Sequence, residues 1–287
     1  MEPGPAPTSS PATVATPLRQ AVTARQLAGQ ILAAADVGAA VPATDRIVAG
    51  DPATVVTGVA TVAMASIEAL RAAIAKGCNL IVSYDPTFWS DGDQLGPLAG
   101  NRLLAMKRAF IDAHNLVVLD LHDGWRQGID TGMAQALGWE AHRQTPGGLL
   151  YLLPRTTLLA LARTLRASLG DRTLRVVGDP ALPVERVAAI WGNARQLPTI
   201  ALLNGPAEVV VCGYSHEWEA VEYAQDMIAT GAGKGLILLG EAKSVDAGMQ
   251  HCAAWIRTFV HAVPVVHVPA AEPYWTLPRH SRHNTSR

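Results

Sequence analysis

The sequence predicts an α/β protein made of two related halves with mixed sheets. Two observations carry that expectation. A strand, a helix and a second strand ending on an acidic turn occur twice. The first copy runs from Val55-Val56-Thr57-Gly58 to Leu80-Ile81-Val82-Ser83-Tyr84-Asp85-Pro86, the second from Val209-Val210-Val211-Cys212-Gly213 to Ile237-Leu238-Leu239-Gly240-Glu241. Each short apolar run, rich in β-branched residues, reads as a buried parallel strand, and the stretch between runs is long enough for a crossover helix. Asp85 and Glu241 then lie just beyond the C-terminal ends of strands, the edge at which open α/β sheets bind ligands.

The elements follow in order. Residues 1–20 hold Pro, Ser, Thr and Ala with few large apolar side chains and read as a disordered arm. Thr23-Ala24-Arg25-Gln26 fits a capping box that opens a helix through Ala33. After the first β-α-β unit comes a Gly-, Asp- and Pro-rich loop, residues 87–100. A helix over 103–113 follows, with Leu103, Leu104, Met106, Phe110 and Ile111 available for its buried face. Leu116 to Leu121 is a strand ending at His122-Asp123-Gly124-Trp125, a third acidic strand terminus. Residues 147–154 read as a strand and hinge, 156–169 as an Ala/Leu-rich helix, and 174–177 and 186–190 as short strands. In the second β-α-β unit Ser215 is the expected N-cap of a helix through Met227, with Trp218 packing on the sheet. Ser244 is the expected cap of a helix through Phe259, and 263–268 a closing strand. The expected domains are 21–145 and 146–276, with a disordered tail at 277–287.

Composition narrows the function. The 287 residues are 49% hydrophobic and 16% charged, which describes a well-packed chain able to bury sizeable cores. A net charge of −1 gives no electrostatic case for nucleic acid. No apolar run reaches the length of a membrane span and no segment reads as a secretory signal, so a cytoplasmic location is expected. Cys78, Cys212 and Cys252 have no CxxC spacing and sit in apolar surroundings, as reduced core thiols do. Walker, nucleophile-elbow and dinucleotide-binding motifs are absent. Gly231-Ala232-Gly233-Lys234 precedes a strand and reads as a helix end followed by a connector.

Several segments together resemble a family. Val56-Thr57-Gly58-Val59-Ala60-Thr61, Asn79-Leu80-Ile81-Val82-Ser83, Phe110-Ile111 to His122-Asp123, Leu137-Gly138-Trp139, Arg175-Val176-Val177-Gly178-Asp179-Pro180, Glu217-Trp218-Glu219, Lys234-Gly235-Leu236-Ile237 and Ala247-Gly248-Met249 are similar, in order, to the Nif-three-like proteins. These are also known as dinuclear metal-centre hexameric proteins or GTP cyclohydrolase I type 2. The resemblance spans about residues 23 to 275. It implies a two-domain α/β subunit of a toroidal homohexamer, with two metal ions at the interface between domains.

The resemblance also implies site residues. Where the family places His, then His or Glu, then Pro, this chain has Tyr84, Asp85 and Pro86. The family's bridging Asp falls on Asp123. Its later Gly-His, with Glu four residues on, falls on Gly240, Glu241 and Val245, and a further Glu falls on Tyr214. Val245 offers no donor, and Asp246 does not replace it because one helical step turns a side chain by about 100°. A two-metal clamp needs shared oxygens roughly 3.5–4 Å apart from ion to ion. Three carboxylates without histidine favour one magnesium or manganese ion over a zinc or iron pair. With no cation at all, one of them takes up a proton and becomes a general acid.

Bland readings stand beside these. Asp85 before Pro86 and Asp123 before Gly124 are also turn signals, Glu241 also suits a solvated helix start, and Tyr84 also fills space. His122 points to the opposite face if the strand continues through it. His216 and His251 lack a paired ligand spacing and read as structural or surface residues.

The expectation is therefore a divergent family member with Asp85, Asp123 and Glu241 as metal ligands. Asp123 and Tyr84 are its catalytic candidates, and hydrolase, cyclohydrolase or lyase-like chemistry on a small polar substrate its reaction class. The alternative is a metal-free, non-catalytic oligomeric binding or scaffold protein of the same fold. No nucleic-acid or membrane partner is expected.

Overall fold

Strands covered on both faces must be apolar throughout, and three successive segments of the first half meet that requirement. In the computed structural model, which describes residue 1 and residues 21–35, 45–90, 95–193 and 196–277, β2 (Val59–Val62), β3 (Leu80–Ser83) and β4 (Val117–Asp120) are buried along their whole lengths. They run parallel, with β1 (Arg46–Ala49) antiparallel on β4 and β10 (Val265–His267) parallel on β2. The first sheet has the order β1-β4-β3-β2-β10. The last strand among the described residues thus completes the first sheet. The second sheet has β7 (Pro183–Asn193), β8 (Val209–Tyr214) and β9 (Gly235–Leu238) in parallel. Antiparallel β5 (Leu150–Thr157) and β6 (Arg175–Val177) flank them, in the order β5-β7-β8-β9-β6. Both sheets are mixed, as expected.

Helices fill three layers around the sheets. α2 (Ile67–Ala75) and α3 (Arg102–Ala113) cover the outer face of the first sheet, where Leu70, Ile81, Leu104, Ile111 and Val118 form one core. α6 (Gln196–Asn204) and α7 (Glu222–Ala229) cover the outer face of the second, around Leu203, Val210, Ala224 and Leu236. Between the sheets lie α1 (Ala24–Ala34), α4 (Arg126–Leu137), α5 (Leu158–Leu169) and α8 (Glu241–Ile256), in a core shared by both halves. Among the described residues no helix is long and apolar enough to cross a membrane.

α4 and α8 form the central contact. A Cβ on Gly132 would lie 2.7 Å from Ala247 O and from Gly248 Cα, and one on Gly248 2.5 Å from Ile129 Cα, so the two helices touch through backbone. Polar clasps fix each helix to a sheet. Asp130 of α4 pairs with Arg143 (2.6 Å) and accepts from Trp191 Nε1 (3.1 Å) and the Tyr151 hydroxyl (3.3 Å). Asp246 of α8 meets His267 Nε2 (3.1 Å) and Ala270 N (2.8 Å), while Thr61 Oγ1 donates to Met249 O (2.7 Å). Asp246 therefore looks away from the Val245 direction, as the helical step requires.

Several expectations shift. The first strand is 59–62 rather than 55–58, because residues 55–58 are held as a connector. Val55 bridges Thr23, Thr57 N bonds Asn79 Oδ1 (2.8 Å), and Thr57 Oγ1 donates to Gly77 O (2.8 Å). The capping box at Thr23 forms as read. On α3 the buried stripe is Leu104, Lys107 and Ile111, whereas Leu103 and Met106 are more than half exposed. Lys107 is tolerated inside because its ammonium donates to Thr87 O and lies 5.0 Å from the Trp89 ring centre. Ser244 does not cap α8, which starts three residues earlier, straight after Gly240. After Ser215 comes a π-helical turn, Glu217–Val221, with His216 in the capping role, and Trp218 faces solvent instead of the sheet. β1, α4 and α6 had no counterpart in the sequence reading. The arm and tail, apart from Met1 and Leu277, lie outside the described residues.

The backbone contact sets a test. Gly132→Ala puts a methyl group into α8, and overpacking of this kind costs about 1–3 kcal/mol. Its urea midpoint should fall with the slope unchanged, while Gly138→Ala, where no atom stands within 4 Å of the new methyl, should lose only what its left-handed backbone demands.

Candidate functional site

Asp85 leaves β3 on a turn whose backbone is fully engaged. Tyr84 N donates to Val62 O (3.2 Å), Asp85 N to Ala63 O (3.0 Å) and Ser83 Oγ to Asp85 O (2.9 Å). Farther along, Thr87 Oγ1 donates to Asp120 Oδ1 (2.7 Å). The Asp85 side chain is carried inward to 9% exposure, and its Oδ2 is buried without a hydrogen-bond partner. Burial, reinforced by the charge of Glu241, pushes its carboxyl well above the usual carboxylate range.

Glu241 arrives from the second half. The register of β7 against β8 shifts between Ile190 and Asn193, so β7 carries one extra residue there. Such bulges re-aim backbone groups at sheet edges. Gly192 takes φ +70, and its N–H donates to Ser244 Oγ (2.9 Å), which in turn donates to Glu241 O (2.7 Å). The start of α8 is thereby pinned to the end of β7. A Cβ on Gly192 would stand 3.3 Å from Glu241 Oε1, 3.4 Å from Val245 Cγ1 and 3.8 Å from Tyr84 Cε1, so these three side chains converge on a single glycine. Burial raises Glu241 to about 7, opposed by a hydrogen bond from the Asn193 backbone.

Asp123 sits on a separate turn. The buried carboxylate of Asp45 accepts from the backbone N–H groups of His122 (2.8 Å), Asp123 (3.0 Å) and Gly124 (2.7 Å), which fixes that turn ahead of α4. The Asp123 side chain is ion-paired with Arg126 Nε at 2.9 Å and keeps 35% exposure. Arg126 Nη2 also reaches His122 Nε2 (3.4 Å), and His122 Nδ1 lies 3.1 Å from Tyr84 O. A guanidinium only donates, so Nε2 accepts and Nδ1 carries the proton given to Tyr84 O. Burial, then the Arg126 charge, lowers the His122 pKa and keeps the ring neutral.

The structure thus brings Tyr84, Asp85 and Glu241 together at the junction, with Asp123 alongside and turned to Arg126. Among the described residues, no three His, Cys, Asp or Glu side chains are grouped so as to hold a metal ion. His122 is not on the opposite face. β4 ends at Asp120, strand alternation stops with it, and the imidazole lies 4.4 Å from the Tyr84 ring. Burial raises the Tyr84 pKa, with the Asp85 charge adding to it, so the phenol stays protonated. The three cysteines are buried with raised pKa values, as core thiols are. Asp45, Arg126 and Gly192 escaped the sequence reading, and Ser244 was expected only as a helix cap. Only the Gly192-Asn193 pair after a strand carried a local signal, that of a bulge or turn.

The family model for Duf34/NIF3 (NGG1p interacting factor 3) matches residues 37–233. The chain belongs to the Duf34/NIF3 family. A Bacillus cereus protein related to NIF3 superposes with a TM-score of 0.73 at 13% identity, over 90% of this chain and 100% of that one. The Staphylococcus aureus protein SA1388 gives 0.69 at 18% identity, over 90% and 100%. Reduced HcgD from Methanocaldococcus jannaschii gives 0.60 at 12% identity, over 86% and 97%. At these identities the likeness is one of fold. No curated protein matches the sequence.

The paired carboxyls give a pH signature with a definite sign. Both are raised by burial, so the folded chain holds a proton that the unfolded chain releases from its ordinary values of 3.8 and 4.5 upward. Their contribution to stability is whole below those values and is lost as pH climbs to about 7 and beyond. The thermal midpoint, measured without divalent cations, should decline from about pH 5 to about pH 8, and Glu241→Gln should reduce that slope. An unchanged slope in the variant would contradict the assignment.

Proposed function

We propose that this Duf34/NIF3 protein works with one compensating positive charge at the Asp85–Glu241 pair, a proton or one hard divalent cation, and not with a zinc or iron pair. It acts there on a small polar substrate by hydrolysis or a related dehydrating step. The observation that carries this reading is the buried, unpartnered Oδ2 of Asp85, on a carboxyl close enough to Glu241 to be raised by its charge. An isolated buried carboxylate is costly unless a proton, a cation or a donor completes it.

A two-metal clamp does not fit these residues. Val245 has no donor where a second bridge would stand, the Tyr84 ring fills the space beside Gly192, and the Arg126 guanidinium already balances Asp123. One magnesium or manganese ion fits better: Asp85 and Glu241 would hold it with water, and it would supply Lewis-acid polarisation of a substrate oxygen. Without it, the protonated member of the pair is a general acid beside an ionised partner able to accept a proton. Tyr84 shapes the pocket, and Asp123 is the more accessible carboxylate for a base role.

The second reading is an oligomeric binding or scaffold protein without catalysis. The Asp123–Arg126 pair favours it, because it occupies the carboxylate most open to a substrate.

Metal content decides first. Inductively coupled plasma mass spectrometry on untagged protein, purified without chelator and then incubated with excess magnesium, manganese, zinc or iron, should give at most one magnesium or manganese per chain. Glu241→Gln and Asp85→Asn should abolish it. Two zinc or iron ions per chain would overturn the proposal. Metal-free protein with the pH signature above would leave the proton as the compensating charge.

A further inference from the structure

Past the acidic pair, the second sheet ends in three aromatic rings. Tyr214, the last residue of β8, is registered against Asn193, the residue whose backbone bonds Glu241. Its ring meets His216 edge-on, with centroids 5.3 Å apart at 74°, and His216 lies nearly parallel to Trp218, at 5.7 Å and 14°. Trp218 is 64% exposed. The backbone that presents it is unusual: the π-helical turn Glu217–Val221 contains Glu219 at φ −100 and ψ −114, outside helical values. Single π turns recur at functional sites, and here the turn presents an indole to water.

The charges around the indole select its ligand. Glu217 and Glu219 flank Trp218 in the chain. Glu219 is within 3.3 Å of His216 Nδ1, and the exposed Glu217 has only a distant contact with Arg175, at 3.9 Å. The indole face is electron-rich, and the exposed Glu217 next to it in the chain adds negative charge to its surroundings, which favours a flat cation. The same charge repels a phosphate backbone, which argues against single-stranded nucleic acid.

We propose that the Tyr214–His216–Trp218 ladder is a stacking site for a small, flat, cationic heteroaromatic molecule. This goes beyond the reading of the acidic pair and does not depend on whether Asp85 and Glu241 hold a proton or a metal ion.

The test titrates the full chain with N-methylisoquinolinium (isoquinolinium below), whose charge is fixed at every pH, and with cyclohexylammonium, which carries the charge without a π face, followed by ligand-observed NMR. Isoquinolinium should bind saturably and about tenfold more tightly than cyclohexylammonium. Trp218→Ala should remove about tenfold of its affinity, and Trp218→Phe should restore most of that loss. Circular dichroism should be unchanged, since the side chain is on the surface. Glu241→Gln should leave isoquinolinium binding intact, so failure of the acidic-pair reading and failure of this one are told apart. Equal binding of the two probes, no saturable isoquinolinium binding, or full binding by Trp218→Ala would overturn the proposal. So would a Trp218→Ala variant whose assembly mass by light scattering changes while probe binding does not, because the ladder would then be a self-association surface.

Discussion

The backbone contact between Gly132 of α4 and Gly248 of α8 sets the distance between the two sheets. Each helix is clasped to a different sheet, α4 to the second through Asp130 and α8 to the first through Asp246 and the Met249 carbonyl. The helices are therefore crossed in their allegiance as well as in contact, and neither half can shift without breaking a buried polar network. Such networks are expensive to leave half satisfied. Because α4 follows the Asp123 turn and α8 opens on Glu241, the same contact brings two acidic helix starts to the edge where Asp85 leaves the first sheet. The junction is a consequence of helix packing before it is a property of any site residue.

Within that junction, small polar groups hold backbone rather than ligands. Asp45 spends both carboxylate oxygens on three consecutive N–H groups, and Ser244 links Gly192 to the first residue of α8. These interactions fix where Asp123 and Glu241 begin and leave their side-chain charges to be settled by neighbours. Asp123 finds a guanidinium. Asp85 and Glu241 find each other, at low exposure, and that asymmetry distinguishes a compensated carboxylate from an uncompensated pair.

What the sequence could reveal follows from the range of the interactions involved. The apolar runs of β3, β4, β8 and β9 were readable because burial on both faces leaves a local pattern, and the capping box at Thr23 because it closes within three residues. α4 was missed because Gly128 and Gly132 weaken its helical signal. Gly132 is there for the partner helix, at a sequence separation no local pattern reports. The first strand was placed four residues early because Val55-Val56 is as apolar as Val59-Ala60, and what marks it as connector is long-range: the bridge of Val55 to Thr23, Thr57 N–H to Asn79 Oδ1 and Thr57 Oγ1 to Gly77 O. At the site, Asp85 and Glu241 were legible from their positions after strands. Arg126 was not, because its role rests on a three-residue helical spacing that occurs on most polar helix faces. The opposite-face placement of His122 held only if the strand ran through it, and β4 stops two residues before it.

The unpartnered oxygen of Asp85 deserves the last physical weight. A buried carboxylate left without a donor costs on the order of 1–3 kcal/mol or more, and the surroundings offered ready relief. Ser83 lies two residues away with a hydroxyl, yet it donates to the Asp85 carbonyl instead. Tyr84 carries a protonated phenol, yet its ring is turned to Gly192 and His122. Val245, which stands with Glu241 and Tyr84 beside Gly192, is apolar and has no donor to offer. The Ser83 hydroxyl is committed to backbone and Val245 is apolar, so neither relieves the Asp85 oxygen. Unpaired buried polar groups of this kind are rare in native folds and cluster at functional sites. Val245 and Gly192, which stand beside Glu241, add no polar side-chain group to the junction.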